Sequence, residues 1–185
     1  MNNEVVKEAL SYVLGSYLHE AWRAPRKLVD GTFEPRIKES KDEDWNIMHG
    51  TNTVDIANCA FSELPSNWQY ENLEAAKVAI KQVFDKVINH QKITPAEIEQ
   101  MGSNIHDAWL GRNRWVFDKT NGNSNLACAY EKLSKEEQDK DKVQLKLAIG
   151  MIEAYLKGLI NVAAICEQYN ICLLYTSPSP RDGLL

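Results

Sequence analysis

"LGSYLHEAW" spans residues 14–22 and "MGSNIHDAW" spans residues 101–109. At an offset of 87, Gly15, Ser16, His19, Ala21 and Trp22 recur as Gly102, Ser103, His106, Ala108 and Trp109. Leu18 is answered by Ile105, and Glu20 by Asp107. A second pair matches at an offset of 69: "CAFSELPSNWQYENLEAAKVAI" (59–80) lies over "CAYEKLSKEEQDKDKVQLKLAI" (128–149). There Cys59, Ala60, Leu64, Gln69, Lys77, Ala79 and Ile80 return as Cys128, Ala129, Leu133, Gln138, Lys146, Ala148 and Ile149, and Phe61 is answered by Tyr130. The change of offset gives the first copy 18 more residues between its blocks, within "RKLVDGTFEPRIKESKDEDWNIMHGTNTVDI" (26–56). An internal repeat decides the fold before any single element does.

Each copy reads as helix, irregular link, helix. The first helix runs over residues 4–23, with Pro25 just beyond it. Its counterpart starts at "TPAE", a capping box with Thr94 as N-cap, Pro95 at the first helical position and Glu97 reaching back. Ser134 and Glu137 form a second box, and Ser66 or Asn67 is placed to cap the matching helix of the first copy. Leu73, Ala76, Ile80, Val83, Phe84 and Val87 form one helical stripe, and Leu145, Ile149, Ile152, Leu156 and Leu159 another, weakened near its end by Gly158. "NVAAICEQY" (161–169) reads as a short closing helix. The Asp-Gly of "LVDGTF" and the apolar "RWVF" leave room for a few short strands. The expected fold is mostly α: a tandem helix-link-helix repeat with pseudo-twofold symmetry, its copies over 4–90 and 94–157.

A chain of 185 residues suits one domain, here placed over residues 1–171. A net charge of −5 with intermixed signs argues against a nucleic-acid polymer as partner. No apolar run reaches the length of a membrane span, and "MNNEVVKEAL" is too polar for a signal or transit peptide. The cysteines show no CxxC spacing, which points to a reduced, cytoplasmic setting. Cys172–Asp182, "CLLYTSPSPRD", matches the translation of a transposase sequencing adapter residue for residue. Residues 172–185 are therefore read as an artefactual tail and set aside with Cys172, leaving Cys59, Cys128 and Cys166.

His19 with Glu20, and His106 with Asp107, are acid/base or metal-ligand types, but adjacent helical residues diverge by about 100° and HExxH is absent. The expectation is structural. His and Trp three apart share a helix face, the ring N–H bonds backbone, and Trp22 and Trp109 anchor the core. Cys59 and Cys128 are expected to be small thiols packed as hydrophobes. Trp115, in "GRNRWVFD", is the aromatic expected to stay exposed. Basic residues follow both phrases: Arg23, Arg26 and Lys27, then Arg112 and Arg114, with Lys27 and Arg114 equivalent. Cations there offset the helix dipole. As a functional reading, Arg112, Arg114, Trp115, Lys27 and Arg26 form an anion site with one arm from each copy, since guanidinium forks suit phosphate and an indole face suits a base. No phosphate loop, dinucleotide fingerprint, cofactor motif or nucleophile–base set is present, so the reading is non-catalytic and without cofactor.

The order "IHDAW…RW…AYEKLSKEEQDKDK" resembles the RyR domain, the repeat named after ryanodine receptors and found also in prokaryotic and phage proteins. Ile105, His106, Asp107, Trp109, Trp115, Tyr130, Leu133, Ser134, Glu137, Lys140 and Asp141 carry the likeness in the second copy. The first keeps His19, Glu20, Trp22, Phe61, Leu64 and Pro65 but has "NWQYEN" where the charged helix start falls. The resemblance implies a paired, mainly helical module with no established enzymatic activity. It implies either a sensor of nucleotide derivatives or a protein-interaction domain.

Overall fold

Six α-helices and one two-stranded sheet make up the described chain, residues 2–118, 120 and 124–171 of a computed structural model. The order is α1 (Asn3–Arg23), β1 (Ile37–Glu39), α2 (Glu43–His49), β2 (Thr53–Asp55), α3 (Ser66–Ile88), α4 (Pro95–Arg112), α5 (Lys135–Leu156) and α6 (Val162–Gln168). The fold is mostly α.

Helix starts follow side-chain caps. The Asn2 carboxamide accepts from the Glu4 N–H, and the Ser134 hydroxyl from the Glu137 N–H. Thr94 and Glu97 close the full capping box that "TPAE" predicts. The start of α3 departs from expectation. Its N-cap is Pro65, which has no side-chain acceptor, and neither Ser66 nor Asn67 fills that role. The Asp42 carboxylate does so from 24 residues away, accepting the Ser66 N–H at 2.7 Å while its other oxygen caps α2 through the Trp45 N–H at 3.0 Å. Three helices end in Schellman turns, with His90, Gly158 and Asn170 in the left-handed region. Gly158 thus lies just past α5, which ends at Leu156, rather than weakening its interior.

Lys7 meets Asp85 and Gly15 meets Leu73, so α1 runs antiparallel to α3. Lys86–Glu97, Asn104–Gln82 and Arg112–Glu71 set α4 antiparallel to the same helix. The first helix of each copy packs on the second helix of its own copy and on that of the other, while α3 and α5 pack on each other. Phe84, Leu10, Leu14, Ile80, Val83, Leu145 and Ile152 fill the shared core. α6 closes it over α1, with Cys166 buried and Tyr169 stacked on Tyr12 at 4.6 Å.

The extra residues of the first copy form a small annex. β1 and β2 pair antiparallel, Ile37 opposite Asp55, over a second core of Val54, Ile56 and Leu64 packed with Trp22, Trp45 and Trp68. "LVDGTF" turns back through a single Lys27–Phe33 bridge with Gly31 at a φ of 90°. "RWVF" is no strand: Arg114–Phe117 is a 3-10 turn continuing from α4. The tail read as artefact lies outside the described residues.

Candidate functional site

The two His-x-x-Trp phrases build one constellation twice. His19 Nε2 lies 2.9 Å from the Cys59 carbonyl oxygen, and His106 Nε2 lies 2.9 Å from that of Cys128. A carbonyl only accepts, so both rings carry their proton on Nε2. His19 stacks on Trp22 at 5.8 Å and His106 on Trp109 at 6.0 Å; Phe61 and Tyr130 tilt onto the same rings at 6.4 Å. Each link then makes a 3-10 turn, Phe61–Glu63 or Tyr130–Lys132, held by Gln69 on the Leu64 carbonyl and Gln138 on that of Leu133. Both histidines are 3% exposed. Burial holds His19 below its ordinary pKa against the opposing pull of its carbonyl bond, so the ring is neutral at pH 7. The rings fasten each link to its first helix, as the sequence predicts.

The copies differ in what surrounds that constellation. Gly15 abuts Leu73, whereas a Cβ at Gly102 would sit 2.7 Å from Tyr130 Oη. Phe61 and Leu73 of the first copy are replaced by Tyr130 and Lys142, which meet on Glu99: Tyr130 Oη donates at 3.2 Å and Lys142 Nζ at 2.8 Å. Burial pushes the Tyr130 phenol up to about 12, with the Glu99 charge adding to it. Asp107 is exposed, and His106 faces Asp141 instead, Nδ1 to Oδ2 at 3.7 Å. Sequence reading set the chain neighbour aside on helix geometry but missed this partner. The visible signal was a repeat mismatch, Asn72 aligned with Asp141.

The basic segments end up at one end of the molecule, because α1 and α4 run the same way along α3. Their arginines are engaged unequally. Arg112 is committed to Glu71, Nε to carboxylate at 3.3 Å, with Nη1 donating to the Ala108 carbonyl. Asn113 also bonds Glu71 and receives the Trp115 Nε1–H at 2.9 Å. Arg26 stacks on Trp22 at 4.3 Å and donates to its carbonyl. Lys27 is exposed. Arg114 makes no ion pair among the described residues and lies 6.0 Å from the Phe117 ring. Trp115 is 47% exposed, its edge against Trp109. The structure therefore leaves Arg114 and Trp115 exposed as neighbours on the same turn and withdraws Arg112 into an ion pair. Arg23, absent from the sequence-derived set, supports the link: it donates to the Cys59 carbonyl at 2.8 Å and lies 4.0 Å over Phe33.

Cys59, Cys128 and Cys166 are free thiols, and burial raises those of Cys59 and Cys166. His106 addresses the Cys128 carbonyl, not its Sγ, which leans on the Asn125 carbonyl; no thiolate–imidazole pair forms there. Among the described residues no three His, Cys, Asp or Glu side chains converge on a metal position, and no helix is long and apolar enough to cross a membrane. An open groove of about 690 Å³ runs between the α3–α4 link and the end of α5, lined by Val87, Ile93, Ile149, Lys92 and Lys157 among others. It contains none of the residues assigned from sequence to the anion site or to the His-x-x-Trp phrases. Comparison of the chain with family models, curated proteins and solved structures returns no match.

Proposed function

We propose that this chain is a non-catalytic binding module of the RyR type, taking a small anionic ligand such as a nucleotide derivative. The observation that carries the reading is that Arg114, with no ion pair among the described residues, and a half-exposed Trp115 occupy the same 3-10 turn after α4. A guanidinium suits phosphate, and an exposed indole face suits a base. Lys27 and Arg26, at the end of α1, supply further cations at the same end of α3. The non-catalytic part is supported by the histidines, whose Nε2 protons are spent on main-chain carbonyls. Titration of the intact chain with nucleotides and nucleotide sugars, followed by tryptophan fluorescence, tests it. One member should quench saturably, and Arg114→Ala should weaken that ligand about tenfold or more while the melting temperature holds. Unchanged affinity in Arg114→Ala and Trp115→Ala contradicts it.

A second reading, a protein-interaction or scaffolding domain, is favoured by the annex. Leu28, Val29, Ile37, Ile47 and Met48 are all exposed there. Val29→Ser with Ile47→Ser and Met48→Ser should abolish recovery of a partner that the wild-type chain retains; intact recovery counts against it.

A further inference from the structure

The His106–Asp141 contact has a proton requirement that its counterpart in the first copy lacks. His106 gives its Nε2–H to the Cys128 carbonyl, so a neutral ring turns the bare Nδ1 lone pair toward Asp141. A carboxylate offers only lone pairs in return. The contact is attractive only when the pair holds one more proton, either on Nδ1 as an imidazolium or on the carboxyl as a donor. Both side chains are shielded from water, 4% exposed for His106 and 14% for Asp141, so an unfavourable pairing is poorly screened. In the first copy Asn72 aligns with Asp141, and its amide donates to the Trp68 carbonyl.

We propose that His106 and Asp141 form a proton-operated latch, particular to the second copy, that fastens the Cys128–Leu133 link between α4 and α5 in mild acid and loosens it as neutrality is approached. Neighbouring charges leave the pair to itself. On α5, Glu137 and Lys140 flank Asp141 with opposite signs and bind each other at 2.6 Å. On α4, Glu99 is neutralised by Lys142 at 2.8 Å. From the link, Tyr130 faces the ring as an uncharged phenol. Burial in this setting pushes the Asp141 carboxyl up to about 6, so the folded chain takes up the proton at a pH where an unfolded aspartate stays ionised. The latch is independent of any ligand. The link it holds packs on α4.

Amide hydrogen exchange of the intact chain at pH 5.5 and 7.5, corrected for the intrinsic rate, tests it. Protection of residues 128–133 should rise about fourfold in acid, while 59–64 of the first copy stays level. Asp141→Asn, which carries a permanent N–H donor, should make the second link as level as the first. Equal responses of the two links in the wild-type chain overturn the proposal. Should Asp141→Asn fail to fold, carbon NMR of the wild-type chain decides: an Asp141 carboxyl step near pH 6 supports the latch. An Asp141 step in the ordinary carboxylate range overturns it.

Discussion

At residue scale the second copy is built around one close approach. A Cβ at Gly102 would meet Tyr130 Oη at 2.7 Å, so Gly102→Ala should cost about 1–3 kcal/mol by overpacking. Tyr130→Phe in the same chain should recover part of that cost, because it removes the atom struck; a double-mutant cycle by urea unfolding measures the coupling. His90 raises the opposite expectation. It holds a φ of 54° at a Schellman position where the second copy uses Gly158, so His90→Gly should stabilise by about 0.5–1 kcal/mol. The sequence carried much of this level. The three-residue spacing of His and Trp placed both on one face and predicted a ring N–H on backbone, because helix geometry is local. It could not place Glu71 beside Arg112, 41 positions away, or Asp141 beside His106, because those meetings depend on how helices cross.

At the scale of elements, charged caps set the acid response. Glu97 accepts from the Thr94 N–H and hydroxyl and from Lys86, whose ammonium is the largest influence holding its carboxyl down to about 2. A carboxylate whose folded pKa lies below its unfolded value stabilises above the unfolded value and loses that contribution as pH falls through the folded one. The start of α4 should therefore fray between about pH 4.5 and 2, and Glu97→Gln should show that fraying already at pH 7 by amide exchange at residues 94–98. The Asp141 contribution has the reverse sign, present in acid and lost as pH rises toward 6. Asp42 ties α2 and α3 together through one carboxylate. Asp42→Ala should release the annex first, seen as lost protection in residues 43–49 before any change in α5. Such a cap is invisible to a reading that looks three residues along the chain; "TPAE" was legible because both its partners lie within one turn. "RWVF" misled as a strand for a related reason. Its apolar run is a 3-10 turn because it continues directly from α4 and turns only Val116 inward.

At the scale of the whole molecule the two copies cannot be separated without exposing their cores. α3 is covered by α1, α4 and α5, and α1 reaches across to α5 as α4 reaches across to α3. Phe84, fully buried in the shared core, should cost about 3–5 kcal/mol as Phe84→Ala and should melt both copies in one transition rather than only its own. The repeat announced two related units from sequence alone, but not this exchange of partners, because two equal stripes are equally compatible with copies that stand side by side. The most direct test of the central claim, one interlocked body made from two copies, is thermal unfolding of residues 1–92 and of residues 93–171 expressed apart, beside the intact chain. The account predicts one cooperative transition for the intact chain, none for either half, and its return on mixing the halves. A cooperative transition in an isolated half, at a temperature near that of the whole, would contradict it.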